Sequence, residues 1–302
     1  MTIAAKDVAA RYRKILDTCT PYVISYTANW PYLDMAPMGV EIPVERRYTA
    51  TSLESRDVVN GLHHLDSFAF GPQEMLMPRW VLFDCGEFPG MVFGFGKRAS
   101  ELSPGVRVRY HVGDDDLDWD SRATRHRAGS KRASSVPTRD RFVPLSMWVA
   151  IPCVEPGAWF GHNLSSANLV LGDDALPGLG TLTKLLGMKC AKVRKQYGAT
   201  QWDSTSLSIH LTLGELELLS AYTPAHTHEE TFSYLLEVDD ARLEAILSEG
   251  WQKPALDHDR LMNAEDSDAI RALHRELEAG ARHQLIDVIR GEPNQMRLRK
   301  IP

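Results

Sequence analysis

The sequence predicts an α/β (α+β) fold in which helices flank a mixed, mostly antiparallel sheet, with helical additions at both ends and an inserted polar loop. Three observations predict it. Two apolar, aromatic-rich runs at 79–85 and 91–96 surround a glycine-proline turn, the pattern of an antiparallel hairpin. A third apolar run, at 165–171, is followed by a glycine-rich loop. Helical periodicity then follows at 181–197.

The N-terminal elements are predicted from periodicity and from residues that end helices. Residues 3–18 place apolar side chains on one helical face, and Pro21 ends that helix. The proline-rich segment 31–43 predicts a loop. Residues 55–65 predict a second helix that begins behind serine N-caps, and the hairpin at 79–96 follows it.

The later elements alternate between strand and helix. Residues 142–151 predict a strand, and Gly198 is a suitable residue to follow the C-terminus of the helix at 181–197. Residues 204–213 predict a short helix that Gly214 ends. The remaining predicted strands cover 165–171, 199–202 and 231–238.

The C-terminal part of the chain predicts helices. Residues 240–250 form one candidate helix, and residues 267–290, which carry many charges, form another. We therefore predict a main domain over residues 1–238 and a C-terminal helical appendage over residues 239–302.

A polar segment at 100–141 differs from the rest of the chain in composition. Aspartates crowd its first half, and arginines and lysines crowd its second half, from Arg122 to Arg141. We predict an inserted loop. Its basic half is either a solvated loop balanced by the aspartates or a flap that binds the phosphates of a carrier phosphopantetheine, tRNA or DNA.

Bulk composition narrows the class of protein. The chain has 302 residues, 43% hydrophobic content and a formal net charge of −6, so charge as a whole does not favour a nucleic-acid or membrane partner. Its four cysteines form no CxxC pair, which argues against a disulfide framework or a cysteine zinc site. No signal peptide or apolar run of membrane-spanning length is visible, so we expect a cytoplasmic protein.

The order of strand, glycine loop, long helix, strand and short helix across residues 164–238 resembles the GNAT superfamily of N-acyltransferases. That family carries the motif Gln/Arg-x-x-Gly-x-Gly/Ala. Here Gly178 and Gly180 match the motif, while Ala175 stands at its first position. The resemblance covers about a third of the chain, including the hairpin at 79–98.

The resemblance implies a donor site at the loop and the helix start that follow the central strand. Backbone N–H groups there would bind the phosphates of a thioester donor. Because Ala175 replaces the motif's Gln or Arg, acyl-CoA and a donor on phosphopantetheine of an acyl carrier protein both stay open. The residues implied for the donor are Leu169, Leu171, Gly178, Leu179, Gly180 and Thr181.

The resemblance also implies catalytic positions. The family often places a tyrosine acid four residues before the glycine that ends the short helix, and His210 holds that position here. Histidine also donates protons near neutral pH. His162 and Glu155 are candidate bases just before the predicted central strand. Candidate residues for binding a small-molecule amine acceptor are Trp159, Asn163, Asn168, Trp202 and Asp203.

His226 and His228 form the one other histidine pattern that invites a metal. Glu229 and Glu230 follow too soon for a cupin-like ligand set, so we expect no metal.

Two other functions stay open beside acyl transfer to a small molecule. Residues 86–100 look similar to phage Mom-type proteins, which modify DNA adenine, and a GNAT-like scaffold can also bind without catalysis. The most useful single observation is whether a V-shaped gap opens between the strands predicted at 165–171 and 199–202. Closed strands there would exclude the acyl-donor interpretation.

Overall fold

The computed structural model describes residues 8–49, 51, 55–73, 75–78, 80–82, 84, 90–112, 140–226 and 228–302. Within them the strands, numbered along the chain, are β1 (Thr20–Ser25), β2 (Arg47–Tyr48), β3 (Met91–Arg98), β4 (Phe142–Pro144), β5 (Ser146–Pro152), β6 (Ala158–Ser166), β7 (Lys195–Gln201), β8 (Leu216–Ser220), β9 (Thr231–Glu237), β10 (Arg260–Asn263), β11 (Arg282–Ile289) and β12 (Gln295–Ile301).

The α-helices of the same residues flank this sheet. They are α1 (Ala10–Thr18), α2 (Ser55–Phe70), α3 (Pro104–Arg109), α4 (Asn168–Leu171), α5 (Leu179–Cys190), α6 (Leu207–Leu213), α7 (Asp240–Ile246) and α8 (Ser267–Glu278).

The strands form one sheet in the order β10-β12-β11-β8-β9-β7-β6-β5-β3-β1-β2, and β4 pairs with β3. Only the pairs β1–β2 and β6–β7 are parallel in the described residues. The predicted fold class, a mixed and mostly antiparallel sheet flanked by helices, is confirmed. The parallel pair β6–β7 is connected through α5, as a parallel connection requires a crossover.

Helices cover both faces of the central strands. Asp66 of α2 bonds Asn163 on β6, while Gly180 of α5 lies against Ser166 on the same strand. Residues 163 and 166 point to opposite faces because side chains alternate along a strand. The core therefore has two layers, and β3 lies inside it with the side chains of residues 91–96 buried.

The predicted hairpin at 79–96 is wrong in its first arm. Residues 80–82 are helical, and residues 85–89 lie outside the described part of the chain. The second arm is the strand β3, which pairs with β1 on one edge and with β4 and β5 on the other. With both edges of β3 occupied by other strands, a local hairpin partner has no place to pair.

Two further strand and helix boundaries differ from the prediction. The strand predicted at 165–171 ends at Ser166, and the helix α4 follows it. Asn168 explains the turn, because its side chain bonds both the N–H and the C=O of Leu176 and closes the loop. The helix predicted at 181–197 ends at Cys190, and Lys192 takes a left-handed backbone conformation before β7 begins.

The C-terminal prediction of helices alone is also wrong. The helix predicted at 267–290 ends at Glu278, because Gly280, with φ +92°, supplies a left-handed residue behind it. The next residues form β11, which pairs with β12 and also with β8. Residues 239–302 thus add strands to the main sheet and are not a helical appendage.

The predicted polar insertion is only partly described. Residues 104–109 form α3, where Pro104 occupies the first helical turn, so the loop prediction is wrong there. Residues 113–139, with Arg122 and most of the basic segment, lie outside the described part of the chain.

Because β11 joins the main sheet, we expect core substitutions in it to destabilise the whole chain. Leu285 is fully buried where β11 pairs with β8. Leu285→Ala should lower the free energy of unfolding by roughly 2–5 kcal/mol in urea denaturation. Leu261→Ala on β10, where the side chain is 54% exposed, is the control and should change it by less than about 0.5 kcal/mol. Equal effects of the two substitutions would contradict this placement.

Candidate active site

The strands β6 and β7 separate along their length. They pair from Ala158 and Lys195 as far as Gly161 and Gly198, and no pairing follows beyond those glycines in the described residues. Both strands nevertheless continue. β6 stays paired with β5 as far as Ser166, and β7 stays paired with β9 over its whole length. The V-shaped gap is therefore present, displaced from 165–171 to the second half of β6.

Local sequence explains where the gap begins. The register of β5 and β6 shifts between Gly161 and Asn163, so His162 is the extra residue of a β-bulge, a feature that bends a strand. Gly161 and Gly198 form the last pair. A Cβ on Gly161 would lie 2.6 Å from the amide nitrogen of Gln196, and one on Gly198 would lie 2.5 Å from the Tyr234 ring.

Gln196 and Tyr234 therefore occupy the space that larger residues would need. The Gln196 amide donates to the Tyr234 hydroxyl over 3.3 Å, and both side chains are buried. This pair forms the floor of the gap, at the point where the strands diverge. Burial raises the pKa of Tyr234, so its hydroxyl is protonated at neutral pH.

A cavity of about 620 Å³ fills the gap. One wall is apolar and is formed by the segment that follows α2 in the sequence, with Met75, Leu76, Met77 and Val81. The other walls bring polar groups from β6, β7 and β9, from α6 and the residues just before it, and from the loop before β9. These polar groups are His162, Asn163, Gln196, Thr200, Gln201, Ser204, Ser206, His210, His226, Thr231 and Tyr234. An apolar wall that faces a few convergent polar groups is typical of a small-molecule site.

The start of α5 lies beside the far end of the gap. A Cβ on Gly180 would lie 3.9 Å from the Ser166 hydroxyl, at the end of β6. Gly178 precedes the helix with φ +87°, a conformation that favours glycine. The first N–H groups of a helix lack partners within it and carry its positive end, so this position suits an anion. Arg11 of α1 lies near Gly178.

His210 lies on the cavity wall, beside a lysine. Its Nδ1 is 2.6 Å from Nζ of Lys184 on α5, and its Nε2 is 3.4 Å from the Ser206 hydroxyl. Ser206 in turn bonds Ser204 over 2.9 Å. Burial, and then the charge of Lys184, lower the pKa of His210 well below 6.5. Burial also lowers the pKa of Lys184 well below 10.5.

His162 lies on another wall, near a buried carboxylate. Asp66 accepts a bond of 2.8 Å from the Asn163 side chain and one of 2.7 Å from the Met77 N–H. Asn163 also accepts from the Ser165 hydroxyl. Burial lowers the pKa of His162, and the nearby charge of Asp66 partly offsets this. Burial raises the pKa of Asp66. His162 is therefore mostly neutral at pH 7 and able to accept a proton.

The structure brings together only part of the residue set that the sequence suggests. His210, His162 and Asn163 line the gap, and Gly178, Leu179, Gly180 and Thr181 form the start of α5 beside it. Leu169 and Leu171 lie on α4 and not on a strand; Leu169 is exposed and Leu171 is buried.

The remaining predicted residues lie elsewhere. Glu155 and Trp159 line a second cavity of about 760 Å³ at the opposite end of β6, where Glu155 bonds Lys195. Asn168 closes the loop to Leu176. Trp202 is buried, stacks on Phe232 and donates to the Ala221 carbonyl, while the exposed Asp203 borders a separate small cavity. The side chains of Trp202 and Asn168 thus make contacts that stabilise the fold, in place of the predicted contacts to an acceptor.

Four residues at the gap do not stand out in the sequence: Lys184, Gln196, Tyr234 and Asp66. Lys184 offered one signal, since it falls among leucines in a mostly apolar stretch of the helix, where a charge is unexpected. The other three depend on contacts between distant segments, such as the bond from Asn163 to Asp66, which spans 97 positions.

No helix in the described residues is both long enough and apolar enough to cross a membrane. The same residues contain no group of three or more His, Cys, Asp or Glu side chains arranged to hold a metal ion.

Likeness to known proteins is found at the level of structure. No protein-family model matches the chain, and no curated protein matches it. Among solved structures, the chain is similar to diaminobutyrate acetyltransferase EctA from Paenibacillus lautus in complex with its substrate L-2,4-diaminobutyric acid and coenzyme A. The TM-score is 0.35 and the identity 11%, over 61% of this chain and 90% of that chain.

Burial of Lys184 predicts a specific dependence of stability on pH. Its folded-state pKa lies well below the unfolded value of 10.5, so unfolding takes up a proton between the two values. The wild-type free energy of unfolding should therefore gain up to about 1.4 kcal/mol per pH unit in that window, relative to Lys184→Met. Urea denaturation at about pH 7.5, 8.5 and 9.5 measures this difference.

Lys189→Met is the matched control, since Lys189 lies on the same helix with its ammonium 2.9 Å from Asp240 at the surface. Its stability should run parallel to the wild type as pH rises. Parallel curves for the wild type and Lys184→Met would show that Lys184 keeps its charge in the folded protein.

Proposed function

We propose that this protein is an N-acyltransferase that moves an acyl group from a thioester donor to the amine of a small molecule. The observation that carries the proposal is the gap between β6 and β7, which opens over a cavity and ends beside the start of α5. This arrangement offers one continuous path for a donor with an extended arm and a phosphate end.

The arm of the donor fits the exposed edge of β6. Beyond Gly161, the β6 edge that faces β7 has no strand partner in the described residues. Backbone N–H and C=O groups along such an edge pair with an extended, amide-containing chain in the way that an added strand does. Pantetheine, which CoA and phosphopantetheine carriers share, is a chain of this type.

The phosphate end of the donor fits the start of α5. Gly178 and Gly180 place two residues without side chains at the start of α5, and the N–H groups of a first helical turn are suited to bind an anion. Arg11 adds a positive charge nearby, whereas Asp173 and Asp174 are exposed and negative in the preceding loop. Because Ala175 replaces the Gln or Arg of the motif, both CoA and carrier-bound donors remain within the proposal.

Acyl transfer needs a neutral amine, a base and an acid for the leaving sulfur. His162 is suited to be the base, because its lowered pKa leaves it neutral at pH 7. His210 is suited to protonate the leaving sulfur, since it lies on the α6 side of the same cavity. N–H groups on the unpaired edge of β6 would stabilise the oxyanion that forms in between.

The acceptor would occupy the part of the cavity next to the segment that follows α2 in the sequence. Met75, Leu76, Met77 and Val81 form this wall, which favours an acceptor or acyl chain with an apolar body. Methionine side chains adapt to different shapes, so this wall tolerates more than one apolar group.

A charge placed at the start of α5 tests the donor site. Thr181 is the third residue of the helix, where Glu and Gln are both compatible with folding. Thr181→Glu should weaken CoA binding at least about 10-fold relative to Thr181→Gln, because a carboxylate there repels phosphates. Isothermal titration calorimetry with CoA and with a phosphopantetheine carrier measures the effect. Equal affinities for the two variants would place the phosphates elsewhere.

A substitution of His210 tests the catalytic assignment. His210→Gln should lower kcat with the accepted thioester by about 10²-fold or more and leave donor affinity unchanged, because general acids contribute rates of that order. The assay follows thiol release over a panel of acyl-CoA donors and amines. The control is His258→Gln, an exposed histidine that does not line the cavity, and turnover should survive it. Wild-type turnover in His210→Gln would remove His210 from the chemistry.

A further inference from the structure

Lys184 is a fully buried lysine with an unusual environment. Its side chain is 0% exposed, and its Nζ lies 2.6 Å from His210 Nδ1 and 5.9 Å from the centre of the Tyr234 ring. No carboxylate within the described ranges forms an ion pair with it. Buried lysines without such a partner are rare, because an unpaired charge is costly to remove from water.

Lys184 and His210 together carry at most one positive charge. Two positive groups 2.6 Å apart in a buried site would repel each other strongly. Burial alone favours the neutral amine of Lys184, in line with its lowered pKa. A neutral amine has two N–H donors and one lone pair, and a neutral imidazole has one donor and one acceptor.

We propose that Lys184 is a positioning residue that donates to His210 Nδ1, keeps the imidazole proton on Nε2 and thereby directs an N–H donor into the cavity. This inference rests on the proposed function for its purpose. Donation by the lysine satisfies one of its buried N–H groups, whereas the reverse bond would leave all of them without an acceptor. Nε2 is the nitrogen that faces Ser206 and the cavity.

The pair can also carry the proton that the leaving group needs. At rest both side chains are neutral, and the step begins when solvent adds one proton to the Lys184 amine. His210 Nε2–H then gives its proton to the thiolate, and a lysine proton moves to Nδ1. The products are a thiol, a neutral lysine and a neutral imidazole with its proton on Nδ1. The proton that leaves the acceptor amine through His162 goes to solvent, and solvent returns one to the pair. Protons therefore balance over the cycle.

Other charged groups around the pair leave this picture unchanged. Tyr234 of β9 faces both residues, and its raised pKa keeps it neutral. Arg242 of α7 bonds the carbonyls of Leu211 and Thr212 and pairs with Glu215, all at the C-terminal end of α6. At the other end of α6, Arg290 bonds the carbonyls of Ser204 and Thr205. None of these groups bonds Lys184 or His210 in the described structure.

The direct test is the tautomer of His210, which NMR reads from the imidazole ¹⁵N shifts of ¹⁵N-histidine protein. The chain has 11 histidines, and the signals missing in His210→Gln assign the residue. Between about pH 5.5 and 8.5, the wild type should show Nε2–H with Nδ1 as an acceptor. Lys184→Met should lose this preference, and Lys189→Met should keep it. A wild-type Nδ1–H tautomer, or an unchanged spectrum in Lys184→Met, would overturn the proposal.

Kinetics complete the test. Lys184→Met should lower kcat by about 10²-fold, leave KM for the donor unchanged and shift the pH profile, while Lys189→Met behaves as the wild type. Wild-type kcat and pH profile in Lys184→Met would overturn the catalytic role. If no thioester supports transfer even in the wild type, the proposed function fails, and the NMR result still decides whether Lys184 positions His210.

Discussion

The gap at the centre of this sheet begins at a pair of glycines that two buried side chains cover. Gln196 covers Gly161 and Tyr234 covers Gly198, and each side chain stands where a Cβ on the opposing glycine would collide with it. Beyond this pair the bulge at His162 bends β6 away from β7, and each strand keeps its other neighbour. The gap thus persists because both strands remain bonded on their outer sides, which fixes their positions where they no longer pair with each other.

The polar groups of the gap depend on this separation. His162 and Asn163 approach it from β6, supported by Asp66 on one face of the sheet, and His210 approaches from α6, supported by Lys184. Both histidines have a lowered pKa, and burial is the main cause in each case. A site with two neutral imidazoles on opposite walls is suited to moving protons without holding charge.

The sequence predicted the class of fold because that class depends on local patterns. The runs at 91–96 and 142–151 became buried strands, and Gly214 ended α6 as expected. Predictions failed where distant contacts decide. The run at 79–85 reads as a strand, yet both edges of β3 are taken by segments far away in the chain. The helix predicted at 267–290 was wrong for a different reason. Gly280 is a residue that can end a helix, but the helical periodicity of the charged residues on both sides of it suggested that the helix continues.

The site was harder to predict than the fold. His210 and His162 could be selected from their spacing to Gly214 and to the central strand, and both line the gap. The supporting residue Asp66 could not be selected, because no local pattern connects α2 to β6. Lys184 was visible only as a charge in an apolar helix, and no local pattern connected it to α6. Glu155 shows the reverse: it is close to β6 in sequence but lies at the opposite end of that strand.

The pairing of β8 with β11 has a consequence for how the chain can be divided. A fragment that stops near residue 238 would contain every residue of the gap, and sequence alone suggests it as a minimal domain. In that fragment β8 would become the last strand, with one unpaired edge where Leu216 and Glu217 now meet β11. Unpaired edges recruit strands from other molecules, so the shortened protein would tend to associate with itself. The C-terminal strands therefore cover the edge of β8 and prevent it from pairing with a second molecule of this protein.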